Sequence, residues 1–240
     1  MLRIALGIAF LLGLPGLAQE GPAPWEAPTP AGHFLQTEAV DLAQALPPPP
    51  AAGSLADLAD LDAVRQAQVW RTPEQEAWAK LIESDTVWKF APEIGPWFKA
   101  ENLPKTARFF WQLTVDTHAL SERTKGRFRR PRPFLVDLDL RPCVFQPPND
   151  SYPSGHSLQA FVRAGVLAEV FPDLRESLLA RASRAAWGRI LGGVHYPTDI
   201  VGGRILAEAI LAKLKDHPAF RAAVETCRSE VQAFRLKKAG

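Results

Sequence analysis

Cysteine is nearly absent from this 240-residue sequence, with only Cys143 and Cys227 present. Two thiols with no histidine at ligand spacing cannot build a zinc site. An excess of one charge is lacking too: 28 Lys and Arg stand against 26 Asp and Glu, a net charge of +2. Without a long basic face there is no electrostatic case for nucleic acid as a partner. Beyond the first residues no apolar run is long enough to cross a bilayer. No alternating stretch reads as a strand and no internal repeat recurs, so the expected fold class is all-α, a single-domain helical bundle. The length suffices for one domain with a sizeable core.

What is present begins with a leader. Met1-Leu2-Arg3 is followed by an apolar run from Ile4 to Leu14 and then Gly16-Leu17-Ala18, the pattern of a secretory signal peptide cleaved after Ala18. Residues 1–18 are therefore expected to be removed, leaving a periplasmic or secreted protein with no stable membrane insertion. In that compartment the two cysteines are expected to pair as a disulfide. Residues 19–54, rich in Pro and Ala and ending in Pro47-Pro48-Pro49-Pro50, read as an extended arm. Trp25, Phe34 and Leu35 give that arm something to bury. Residues 55–240 form the helical domain.

Periodicity and capping residues predict the helices. One runs from Leu55 to Arg71, and Thr72-Pro73-Glu74 starts another. Pro104 to Arg123 is a third, delivering Lys125 just past its end. Leu158 to Phe171 is apolar nearly all round and belongs at the centre of the bundle. Asp173 is expected to cap a helix from Leu174 to Trp187, and further helices open at Pro197 or Thr198 and at Pro218. The proline-rich segment from Pro131 to Pro148 is expected to be mostly irregular.

Three stretches carry the chemistry. Tyr152-Pro153-Ser154-Gly155-His156 is a turn running into a helix, which leaves backbone N–H groups converging on one spot and attracts an anion. Upstream, Lys125 and Arg132 sit in a locally basic stretch; downstream, Arg189 is followed by His195 and Asp199. Two forked guanidiniums, an ammonium, the Ser154 hydroxyl and the N–H groups at Gly155 and His156 match the non-bridging oxygens of a phosphoryl group. Glycine at 155 permits close backbone approach. Asp199 can accept from one imidazole nitrogen of His195 and leave the other aimed as a nucleophile. His156, at the helix start, is the natural proton donor to a leaving oxygen. His118 lies inside a helix with no partner motif and reads as structural.

The pattern Lys-x6-Arg-Pro, Pro-Ser-Gly-His and Arg-x5-His-x3-Asp resembles the signature of the type 2 phosphatidic acid phosphatase and vanadium haloperoxidase superfamily. Within it the chain from Leu46 onward resembles the class A bacterial non-specific acid phosphatases. That resemblance implies a periplasmic, all-helical, metal-independent acid phosphatase with no cofactor, a broad range of small phosphomonoester substrates, vanadate inhibition, and a homodimer or larger assembly. It also implies the roles already assigned to Lys125, Arg132, Ser154, Gly155, His156, Arg189, His195 and Asp199. Two departures stand out. Gly188 occupies a position where the family usually has serine, so a phosphate-side hydroxyl is expected to be missing, and Tyr196-Pro197 replaces a familiar tryptophan. The rival readings are a vanadate-dependent haloperoxidase, a lipid or undecaprenyl pyrophosphate phosphatase, and a catalytically silent anion-binding protein.

Overall fold

The computed structural model describes residues 32–36, 40–41, 45–84 and 86–239. The expected leader and Trp25 lie outside them. Among the described residues there are helices and no strands. They are α1 (Leu55–Trp70), α2 (Pro73–Leu81), the one-turn α3 (Ala91–Ile94), α4 (Pro104–Phe128), the one-turn α5 (Pro133–Val136), α6 (Gly155–Val170), α7 (Arg175–Leu191), α8 (Pro197–Lys215) and α9 (Pro218–Ala239), with 3-10 turns at Val87–Phe90 and Pro172–Leu174.

Local signals fix most of the starts. Ser54 caps α1 by accepting from the Asp57 N–H, and Thr72 and Gln75 cap α2 reciprocally, with Pro73 in the first turn. α6 starts at Gly155, earlier than periodicity suggested, because the Ser154 side chain accepts from the Ser157 N–H and serves as its N-cap. Its Leu158, Val162, Ala164 and Val166 are wholly buried, and α7, α8, α4 and α9 all pack around it. Leu158, Val162 and Val166 each contribute about 1.5–3 kcal/mol of burial. The central helix is the one the sequence marks as apolar on every face.

Three expectations need correction. Lys125 lies within the last turn of α4, not beyond it, because Ser121, Thr124 and Lys125 are buried and carry the helix on to Phe128. The turn closes at Arg129 in the left-handed conformation, which reverses the chain toward the site. Asp173 does not cap α7; it sits in the 3-10 turn, and the helix begins at Arg175 without a side-chain cap. Cys143 and Cys227 are both free thiols. Cys227 is buried in the main core cluster, whereas Cys143 packs against the separate cluster around Val144 and Leu191.

The arm does dock where it is described. The Asp116 carboxylate accepts from the N–H groups of His33, Phe34 and Leu35 at 2.8, 2.6 and 3.0 Å, and the Phe34 ring meets Phe109 and Phe220 edge-on. Further along, the Tyr152 hydroxyl donates to the Pro47 carbonyl at 2.7 Å.

One glycine sets the distance between α8 and the start of α6. A Cβ on Gly203 would lie 2.5 Å from the Ser154 carbonyl oxygen and 2.8 Å from the Ser157 Cβ. Its absence lets the Ser154 N–H donate to the Asp199 carbonyl at 2.9 Å.

Candidate active site

α4, α6 and the turn between α7 and α8 converge on a cavity of about 310 Å³ whose wall includes Ser121, Lys125, Arg132, Gly155, His156 and His195. Five of the eight residues singled out by sequence therefore line one space. The other three lie behind it. Ser154 is wholly buried as the cap of α6, Asp199 is wholly buried behind His195, and Arg189 is 1% exposed. His118, expected to be structural, is exposed at the cavity rim.

The geometry around His195 fixes its tautomer. Arg132 Nη1 lies 3.1 Å from His195 Nε2, and a guanidinium only donates. Nε2 is thus the acceptor, and the ring proton resides on Nδ1, which donates to Asp199 Oδ2 at 3.0 Å. The same carboxylate accepts from the Ser151 hydroxyl and, at 2.9 Å, from the Tyr196 N–H. Burial, then the charges of Arg132, Lys125 and Arg189, hold His195 well below the usual histidine range. An unprotonated Nε2 therefore persists into acid solution.

The cations are equally constrained. Lys125 Nζ donates to the carbonyls of Asp150 at 2.6 Å and Ser151 at 3.2 Å. Burial, reinforced by Arg132, pulls its pKa down to about 7. Arg132 donates to the Asn149 carbonyl, the Asn149 side chain and the Val194 carbonyl; burial and Arg189 bring it down to about 10, which leaves it charged. Asn149 is itself held by Glu122. His156 Nε2 lies 3.1 Å from the Glu83 carbonyl, an oxygen that only accepts. Nε2 therefore carries a proton.

Sequence reasoning missed the support behind Asp199. Arg130 Nη1 donates to Asp199 Oδ1 at 2.9 Å and to the Thr198 hydroxyl at 2.7 Å, while Nη2 bridges Asp57 and Asp60 on α1 at 2.8 Å each. Asp60 also binds the Thr198 N–H and hydroxyl, and the Tyr196 ring lies 3.9 Å beneath the guanidinium. Ser151 and Asn149 were missed as well. The one available signal was the crowding of arginines at 129, 130 and 132, of which 130 and 132 turn inward and 129 outward.

The missing hydroxyl at Gly188 also needs correction. A Cβ there would point at α2, 2.5 Å from Ile82 Cδ1 and 3.4 Å from Trp78 Nε1. The position faces a helix contact, and glycine is what lets α7 approach α2.

Residues 110–216 match the family model described as PAP2 superfamily. Over that segment the chain is similar to the PAP2 superfamily. Its relatives include a non-specific acid phosphatase of Providencia stuartii, 27% identical over 215 residues and covering 86% of each chain. An acid phosphatase of Zymomonas mobilis subsp. mobilis is 29% identical over 233 residues, covering 92% of this chain and 86% of the other. Among solved structures, a bacterial vanadium-dependent iodoperoxidase aligns with a TM-score of 0.55 at 22% identity, over 71% of this chain and 53% of its own. That likeness shows a shared fold.

Proposed function

We propose that the protein is an exported acid phosphatase that hydrolyses phosphomonoesters through a phosphohistidine intermediate without a metal. Phosphatase chemistry is supported by the similarity to the PAP2 superfamily and the acid phosphatase relatives. The observation that carries the mechanism is the hydrogen-bond pattern of His195, with Nδ1–H committed to Asp199 and the Nε2 lone pair beside Arg132 at the cavity wall.

In the proposed reaction, Nε2 attacks phosphorus in line while Lys125, Arg132, Arg189 and the N-terminus of α6 neutralise the non-bridging oxygens. The bond from phosphorus to the ester oxygen breaks, and His156 protonates the departing alcohol. Water then attacks the phosphohistidine and gives its proton to His156, releasing phosphate and restoring Nε2. Asp199 stabilises the positive ring throughout. Acid solution suits the attack, since His195 stays neutral there while Lys125 carries its proton. The leader supports export to the periplasm or medium, and the family resemblance supports a homodimer or larger assembly, which sedimentation of the mature protein would test.

The test is phosphate release from an aryl phosphomonoester by the mature protein, with chelator present and with or without orthovanadate. Turnover that survives chelator and is blocked by vanadate is the expected result, and His195→Ala should remove it entirely. Retention of more than a small fraction of turnover by that variant overturns the nucleophile assignment. Bromide or iodide oxidation by peroxide with vanadate, and no phosphate release, would transfer the protein to the haloperoxidases.

A further inference from the structure

A second cavity, of about 210 Å³, adjoins the first and shares Thr114 with it. Its wall is aromatic, formed by Trp88 from the 3-10 turn and Phe110 and Trp111 from α4, with Arg163 of α6 at one side. One stripe of α4 serves both spaces. Phe110, Trp111 and Thr114 face the second, and Thr114, His118, Ser121 and Lys125 face the first, at the spacing of three or four that keeps residues on one helix face. α6 repeats the arrangement, with Gly155, His156 and Gln159 on the first cavity and Arg163 on the second.

Both indoles are held in place before anything binds. Trp88 lies against Phe98 with ring centroids 4.9 Å apart, and Trp111 against His33 at 5.6 Å. Arg163 is 3% exposed and donates to the Thr114 hydroxyl at 3.1 Å, so a buried cation stands at the junction of the two spaces. The volume exceeds the roughly 150 Å³ that admits a benzene ring. From Gly155 to Arg163 the helix rises about 12 Å, which sets the distance from a phosphoryl group at the start of α6 to the aromatic wall.

We propose that the second cavity is a distal subsite for the leaving group, taking a planar aromatic end carried about 12 Å from the phosphorus. The inference rests on the phosphatase reading of the first cavity. A ring is favoured over a plain alkyl tail because indole faces and a guanidinium both stack on π-systems.

The test is a set of matched esters: phenylmethyl, phenylbutyl, phenylhexyl and phenyloctyl phosphates, each against the alkyl phosphate of the same chain. Leaving-group acidity is nearly constant along the longer members, so their differences report binding. In the unmodified protein the phenyl advantage in kcat/KM should be absent for the shortest ester and reach about tenfold for the long ones. Trp111→Ala and Trp88→Ala should each cut that advantage severalfold. An advantage complete at phenylmethyl, or none at any length, overturns the subsite without needing a variant. No turnover of any ester overturns the phosphatase reading instead. The phenyloctyl and octyl phosphonates, titrated calorimetrically against the same protein, then decide the subsite by whether the phenyl compound binds about tenfold tighter.

Discussion

Replacing Arg130 by methionine removes the guanidinium shared by Asp57, Asp60 and Asp199 while keeping an unbranched apolar stem. Arg130, Asp60 and Asp199 have side chains only 5%, 5% and 0% exposed. Water cannot take over the lost contacts, and leaving one partner of a buried ion pair alone costs about 3–5 kcal/mol. With a urea slope of about 2–3 kcal/mol/M for a chain of this size, the unfolding midpoint should fall by about 1–2.5 M. The pH profile should move as well. Burial raises the Asp199 pKa above the usual carboxylate value, and Arg130 is the first of the groups that oppose the rise. Without it Asp199 takes a proton at higher pH, so the acid limb of kcat/KM should shift upward. Arg130→Lys restores the charge but not the four-way fork, and should recover the acid limb more fully than the stability. Urea titration and a pH–rate profile of the three proteins read both effects. A methionine variant that loses under about 1 kcal/mol and keeps the acid limb unmoved would refute the bracing role.

The buried Lys125 gives a pH signature of its own. Its folded value of about 7 lies below the ordinary 10.5; between those pH values the unfolded chain holds the proton and the native protein does not, so stability rises with pH across that window. Lys125→Met should therefore compare best with the parent at pH 6 and lose that advantage by pH 9, and a pH-independent difference in urea stability would contradict the assignment. Inorganic phosphate should also inhibit the parent less as pH climbs past about 7. Gly203→Ala forces a Cβ to within 2.5 Å of the Ser154 carbonyl; a loss of about 1–3 kcal/mol with a fall in kcat is expected, and an unaltered melting curve would count against the close approach. Gly188→Ser should destabilise by a similar overpacking cost against Ile82 and leave phosphate inhibition no tighter, whereas tighter inhibition would put position 188 back on the phosphate side.

The sequence announced the groups that touch a ligand better than the groups that hold them. Lys125, Arg132, Gly155, His156 and His195 were legible because anion chemistry demands those residue types in short, tightly spaced stretches. Arg130 was not, because its partners Asp57, Asp60 and Asp199 lie 69 to 73 residues away and no local pattern records such a meeting. The same holds for Ser151 on Asp199, 48 residues apart. Helix existence was legible from periodicity and caps, and α6 as the central element from its lack of a polar face. Helix ends were less so: burial of Thr124 and Lys125 carried α4 past Gly126, a residue that by propensity weakens a helix. The free cysteines show the limit most plainly, since compartment argues for a bond and only the separation of two core clusters argues against it.

The shared stripe on α4 separates chemistry from choice along a single rod. Lys125 sits near one end and Trp111 nearly four turns away, so exchanges at the aromatic end can retune which alcohol is accepted while the phosphate end keeps its charges and its timing. A single-residue deletion between Thr114 and Lys125 would act differently, rotating one end about 100° against the other. Drift by substitution is therefore open to this helix, and drift by changes of length is closed.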